Sequence, residues 1–310
     1  MPPPERPLLF GEVLHDCFPD GSRVLGGAPF NVAWHLRALG LDPYLVSRVG
    51  NDAAGRAVLA AMQGWALDVA GVQIDPERPT GQVAVRLDDG DPHFEILADQ
   101  SYDRIACLAE PPPDIGILYH GTLALRHPVS RAALCHLRES VAAPVFVDVN
   151  LRDPWWDAEL VADTLDGARW CKLNDAELAR LAGPGEPARA AARLIARHGL
   201  ERVFVTLGAA GAVAVDAAGA TLAVVPPVGV TVVDTVGAGD AFAAAVIAGL
   251  LGGWPVARAL RRAQWLAAAV CGLRGAVSRD GAFYCEVMAH WSDPPPGGVD
   301  PEGPVASGLL

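Results

Sequence analysis

Residues 231–251 read TVVDTVGAGDAFAAAVIAGLL: a β-branched run, a Gly-rich turn and a long Ala-rich stretch in direct succession. The pattern predicts a strand that ends in a tight turn and opens into a helix. Gly237, Ala238 and Gly239 can bring backbone N–H groups close to an anion, with the positive end of the helix macrodipole behind them. Asp240 falls in the first turn of that helix, and a carboxylate beside an anion site needs a reason. It could accept the proton of an attacking hydroxyl while the N–H groups hold charge developing on a transferred phosphoryl group. It could equally be a first-turn acid that favours the helix dipole, with Asp234 a plain turn residue. The segment alone leaves both open.

Other phosphate-binding loops fail on the same residues. A Walker loop needs Gly-Lys followed by Ser or Thr, and the chain's one lysine is Lys172, preceded by Cys171. A dinucleotide fingerprint needs a third glycine where Phe242 stands, and belongs to the first βα unit rather than one this late.

Outward from this segment, apolar β-branched runs alternate with Ala/Leu-rich helical patterns, which predicts a parallel sheet covered by helices. Strands are expected over 44–49, 115–119, 145–149, 202–206 and 212–215. Helices are expected over 29–39, 53–63, 130–140, 187–198, 239–251 and 255–270. Residues 12–25 and 80–97 break the rhythm, the second as two alternating strands around Asp-Asp-Gly-Asp, and predict a small antiparallel flap. From residue 292 the Pro/Gly-rich composition predicts a disordered tail.

The whole is 310 residues, 51% hydrophobic and 19% charged, enough for a sizeable core. A net charge of −12 without a basic cluster argues against nucleic acid as a partner. No apolar run is long enough to span a bilayer and the first residues lack a signal-peptide pattern, so a cytoplasmic location is expected. The six cysteines are far apart with no metal-ligand spacing, and read as reduced thiols.

DTVGAGDAFAAA closely resembles the C-terminal signature of the ribokinase-like (PfkB) family of carbohydrate kinases. GGAPFNVAWHLRALG, residues 26–40, resembles that family's N-terminal signature, in the right order and at the right separation. FGEVLHD near the start, DVNLRDPWW from Asp148, KLNDAEL from Lys172 and TLGAAG from Thr206 extend the resemblance over residues 10–280. It implies a ribokinase-like three-layer α/β/α fold in one kinase domain over 1–291, a β-flap lid from 12–25 and 80–100, and ATP with Mg²⁺ as phosphoryl donor.

The roles that the resemblance implies are specific. Asp240 is the catalytic base, and Gly237, Ala238 and Gly239 form the anion hole. Asp16, Gly26, Gly27 and Asn31 hold sugar hydroxyls. Each of these has a plainer alternative, Asp16 as a turn residue and Asn31 as a first-turn helix residue. Asn174 and Glu177 place Mg²⁺ and phosphate through water, although Glu177 otherwise reads as a helix-surface acid. Thr206, Gly208 and Gly211 lie along the nucleotide. Asn150 and Arg152 match a segment of fructokinase-like members, with the guanidinium a phosphate partner. Asp234, the Val236 carbonyl and the 275–278 loop, including Gly275 and Ser278, match a monovalent-cation site that K⁺ would fill.

The resemblance is nearest to the fructokinase branch, with 2-keto-3-deoxygluconate kinase next, for whose acid substrate Arg104 is a candidate partner. A purine nucleoside kinase is less favoured, and an inactive sugar sensor on the same fold is the alternative from another class. His120 stands where ribokinases carry a sugar-binding acid, which argues against ribose; it reads as a structural or substrate-lining residue. Gln264 and Trp265 replace the usual Ala-Asn by the adenine, so Trp265 could stack on a base or simply pack. Phe18, Phe30, Trp155 and Trp156 could line the sugar site, though burial is the default for such side chains. An exposed flap edge gives the expectation of a homodimer.

Overall fold

The computed structural model describes residues 5–88, 91–227, 229–291 and 306–307. The chain opens with β1 (Arg6–Phe10), a hairpin of β2 (Leu14–Cys17) and β3 (Arg23–Gly26), then α1 (Ala28–Ala38), β4 (Tyr44–Gly50), α2 (Ala53–Gly64) and β5 (Val72–Asp75). A second hairpin of β6 (Gly81–Asp88) and β7 (Asp91–Ile96) leads to β8 (Ile115–His120), α3 (Pro128–Ser140), β9 (Val145–Asp148), α4 (Ala158–Leu165), β10 (Trp170–Asn174), α5 (Asp175–Ala182), α6 (Pro187–His198) and β11 (Arg202–Thr206). Then come β12 (Ala212–Asp216), β13 (Thr221–Val224), α7 (Ala238–Leu251), α8 (Val256–Cys271), α9 (Gly281–Ala289) and β14 (Ala306–Ser307).

One sheet runs in the order β14-β13-β12-β11-β10-β9-β8-β1-β4-β5. It is parallel from β11 through β5 and antiparallel beyond β11, where short turns join β11 to β12 and β12 to β13. Its central strands β1, β8 and β9 are buried on both faces, which is why they read as apolar runs rather than alternating ones. In β8, Ile117 and Tyr119 join a core with α1, α2, α7, α8 and α9, whereas Leu118 joins a second core with α3, α4, α5 and α6. Those two cores make the three layers expected from the sequence.

The second sheet, β3-β2-β6-β7, is the flap; each hairpin is antiparallel as expected, but the two join through a parallel β2–β6 pair. Both roots of the β6–β7 hairpin are clamped to the body. Thr80 donates from its N–H and its hydroxyl to Asp52, the residue that also caps α2 (2.9 and 2.7 Å). At the other root Arg126 grips Asp103 (2.6 Å), donates to the Leu97 carbonyl (2.7 Å) and lies 4.3 Å over the Trp155 ring. Trp155 in turn donates to the Ile96 carbonyl at 3.2 Å.

One expected element is absent. Residues 231–235 form no strand, because their N–H groups find no sheet partner: those of Val233 and Asp234 turn to the Cys271 carbonyl at the end of α8 (2.8 and 3.1 Å). The β-branched side chains of Val232 and Val233 are left exposed. The expected tail from residue 292 lies outside the described residues except for Ala306–Ser307, which pairs with β13. Among the described residues no helix is long and apolar enough to cross a membrane.

Candidate active site

The chemistry-bearing residues gather outside the carboxyl ends of the parallel strands, where open α/β sheets place their ligand crevices. Glu12 follows β1, His120 ends β8, Asp148 ends β9, and Lys172 and Asn174 close β10. The N-termini of α1 and α7 converge on the same point, as the two helices pack together.

The turn before α7 is built as its sequence suggests. Gly237 caps the helix with φ of +80°, and a Cβ there would lie 2.4 Å from Ala276, so this turn sits directly on the 275–278 loop. Asp234 ties the same two segments, accepting from the Val236 N–H at 3.0 Å and the Gly275 N–H at 3.3 Å. The residues expected to form a cation site are thus neighbours. α1 braces the loop as well: the Trp34 indole donates to the Ser278 carbonyl (2.8 Å), and His35 Nε2 meets the Ala276 carbonyl (3.1 Å) while its Nδ1 meets the Tyr284 hydroxyl (3.0 Å).

Asp240 stands in the first turn of α7, and the Asn31 amide donates to its Oδ2 at 2.8 Å. A residue of the first signature therefore touches one of the second across 209 positions of sequence. Burial raises the Asp240 pKa, while the Asn31 hydrogen bond and the charges of Lys172 and Arg152 pull it back. Asp16 lies nearby, with its Oδ2 3.8 Å from where a Cβ on Gly26 would stand. Burial pushes Asp16 up to about 6 against the opposing charge of Arg152. Gly27 caps α1 and supports the Asn31 N–H at 2.8 Å.

Glu12 was not singled out from the sequence, although it belongs to the quoted FGEVLHD. It is buried, its Oε2 has no hydrogen-bond partner, and burial pushes its carboxyl up to about 7, with Asp240 raising it further and Arg152 lowering it. Asn31 Oδ1 is likewise buried without a partner. Buried polar atoms of this kind call for an explanation, and ligand hydroxyls would supply one.

Lys172 and Asp148 also went unnoticed as a pair. They are register partners on β10 and β9, with Nζ 3.0 and 3.1 Å from the two carboxylate oxygens. Burial would lower the lysine's pKa, but Asp148, Glu177 and Asp240 raise it, so the ammonium stays charged; burial pushes the Asp148 carboxyl up to about 7 against the pull of Lys172.

Glu177 is not the surface acid its helix position suggests. It is buried, and forms a capping box with Asn174, each side chain accepting from the other's N–H at 2.8 Å. Its Oε1 also accepts from the Leu151 N–H at 2.8 Å, fastening α5 to the 149–152 loop that carries Asn150 and Arg152. Thr206 pairs with Asn174 in the sheet, and residues 208–210 form a short turn just beyond it, at the site's flank.

Several expected lining residues lie elsewhere. Phe30 is core, Trp156 bonds Asp153 and stacks under Arg180, and Arg104 pairs with Asp99. Trp265 stacks on His290 (4.6 Å, 8°). His120 is fully buried with Nε2 lacking a hydrogen-bond partner, and burial lowers its pKa to about 4, so it stays neutral at physiological pH.

Among the described residues no three His, Cys, Asp or Glu side chains are arranged to hold a metal. Mg²⁺ suits such a site, because it keeps its waters and binds through one or two carboxylates plus substrate phosphates.

A family model described as pfkB family carbohydrate kinase matches residues 9–280. A fructokinase of Klebsiella pneumoniae is 34% identical over 257 residues, covering 78% of this chain and 83% of its own length. An aminoimidazole riboside kinase of Salmonella typhimurium is 31% identical over 231 residues, or 70% of each chain. The crystal structure of fructokinase from Vibrio cholerae O395, with fructose, ADP and calcium bound, superposes with a TM-score of 0.78 at 27% identity, covering 91% of this chain and 98% of that one.

Proposed function

The chain belongs to the pfkB family of carbohydrate kinases, and from that premise we propose that it transfers the γ-phosphoryl group of ATP to a primary hydroxyl of fructose in the cytoplasm. The observation that carries this reading is the Asn31–Asp240 contact at the N-terminus of α7: one hydrogen bond joins a hydroxyl-binding group to a proton acceptor beside an anion-binding turn.

Glu12, Asp16, Gly26, Gly27 and Asn31 hold the sugar, with one hydroxyl aimed at Asp240. Asp240 takes its proton as the phosphoryl group arrives in line, and the N–H groups of residues 237–239 meet the developing charge. Arg152 faces the transferred phosphate. Asn174 and Glu177 would hold Mg²⁺ through water, and the ion would supply neutralisation of the phosphate charge. Thr206, Gly208 and Gly211 lie along the nucleotide, and Asp234, Val236, Gly275 and Ser278 would hold K⁺. Residues up to 291 act as one kinase domain whose flap excludes water on closing. Phe94 of β7 and Val24 of β3 are exposed hydrophobic side chains on the two outer strands of the flap, and a homodimer would cover them.

The charge of the pocket favours a neutral sugar over 2-keto-3-deoxygluconate. Arg152 is already shared among Glu12, Asp16 and Asp240, and Arg126 is committed to Asp103. The test is ADP release with MgATP across fructose, 2-keto-3-deoxygluconate, ribose, glucose and adenosine, with and without K⁺. Fructose should be turned over fastest. Preference for another compound overturns the substrate, and sugar binding without ADP release from any of them overturns the kinase reading in favour of a sensor.

A further inference from the structure

The chain contains one lysine among its 24 basic Lys and Arg residues, and it is buried inside a strand rather than set on the surface. Lys172 lies under the first turn of α7: a Cβ added to Gly239 would sit 2.9 Å from Nζ. The ammonium therefore occupies space that only a glycine at 239 leaves open. Two of its donors are taken by Asp148, whose Oδ2 also accepts from the Tyr119 hydroxyl at 3.4 Å. A compact ammonium suits this slot, where the broader, planar guanidinium of an arginine would press on the turn.

The surroundings explain why a cation is placed there. Asp240, Asp148, Glu177 and Glu12 are buried carboxylates around one small volume that must also receive phosphate. Burial raises the Asp240 pKa and so works against the charged form that accepts a proton. Lys172 is one of three groups opposing that effect, while Asp148 and Asp240 repel each other. The near end of the ion pair is the ammonium, since Nζ lies 2.9 Å from a Cβ position on Gly239 and no Asp148 atom comes within 4 Å of it.

The geometry points to Lys172 as a positioning residue of the transfer site: gripped by Asp148 beneath Gly239, its ammonium sets a fixed positive charge behind Asp240 and seats the 237–239 turn for the incoming phosphoryl group. This rests on the reading of Asp240 as the base. Lys172 acts through Asp240 and the turn, not on the sugar, so its loss should appear in kcat and in pH dependence rather than in sugar KM.

The experiment compares wild type, Lys172→Met and the double variant Lys172→Met/Asp148→Asn, which leaves no orphan charge and keeps the test open should the single variant fail to fold. Each is followed by ADP release against pH, and by ¹³C NMR titration of the Asp240 carboxyl in ligand-free protein, assigned by Asp240→Asn. Both variants should lose about 10²-fold in kcat, the scale of one preorganised donor, with sugar KM unchanged. In Lys172→Met the acid limb and the Asp240 midpoint should both move to higher pH, and in the double variant, which also lifts the repulsion between Asp148 and Asp240, by less. A double variant with wild-type kcat, acid limb and midpoint would show that the pair merely fills space, and overturns the proposal while the kinase reading stands. If the midpoint rises in the variants but wild type releases no ADP with any sugar, the kinase reading falls and the coupling of Lys172 to Asp240 is upheld.

Discussion

The two halves of the site are finished to different degrees. On the side proposed for phosphoryl transfer, Asp148 and Lys172 satisfy each other, Glu177 and Asn174 share a reciprocal cap, and Asp234 bridges two backbone N–H groups. On the side proposed for the sugar, Glu12 Oε2 and Asn31 Oδ1 are buried without partners and Arg152 is exposed. The reaction's charge is therefore met by groups held in place before anything binds, which is what electrostatic preorganisation requires. The sugar side is left for the substrate to complete. A ligand lacking the right hydroxyls would bury those atoms unpaired, so discrimination follows from their incompleteness.

The sharpest attack on this contrast is Asp240→Asn, which keeps the shape and removes the proton acceptor. We expect kcat to fall about 10³-fold with both KM values nearly unchanged; a loss under tenfold in steady-state assays would break the division of labour. Next is Glu12→Gln. A carboxyl raised from 4.5 to about 7 in the fold holds its proton more tightly folded than unfolded, so its contribution is full below pH 4.5 and is lost as pH rises through 7. Without ligand, the wild type should lose up to about 3 kcal/mol between those limits, a loss that Glu12→Gln removes. Thermal melts at pH 5 and pH 8 check this, and an unchanged pH dependence would mean that Glu12 is already satisfied. Asp16→Ala should raise sugar KM about tenfold and leave ATP KM alone, the cost of one hydrogen-bonded group; an equal rise in both would blur the two sides. The smallest effect is expected from Trp265→Phe. Its ring is stacked on His290, so ATP KM should stay within about twofold, and a tenfold rise would put the nucleotide on that ring.

What the sequence disclosed and what it concealed divide along physical lines. The helix at Pro187–His198 and the strand at Arg202–Thr206 fall where their periodicity placed them, because amphipathic period and β-branched content are local properties. The run before the Gly-rich turn had the same β-branched content and formed no strand, since a strand needs a neighbour and the local sequence does not say whether one is there. Glu177 was mistaken for a surface acid, although Asn-x-x-Glu has the spacing of a capping box and could have been read as one. The Lys172–Asp148 pair was harder. Its one local signal is a lysine inside the apolar strand WCKLN; its partner is fixed by the register of two parallel strands joined through α4. Asn31 and Asp240 each stood out in the sequence, but their contact depends on how α1 and α7 cross.

The bracing by α1 bears on how the enzyme could be changed. Its first turn presents Asn31 to Asp240, and one turn later Trp34 and His35 fasten the loop at 275–278. An engineer who alters α1 to admit a different sugar would loosen the far corner of the pocket in the same stroke, and a variant library there would mix two phenotypes. The β6–β7 hairpin of the flap offers an independent handle, because its roots are anchored at Asp52 and Arg126, whereas β3 runs directly into α1. Selectivity is best redrawn on β6 and β7, with α1 left as it is.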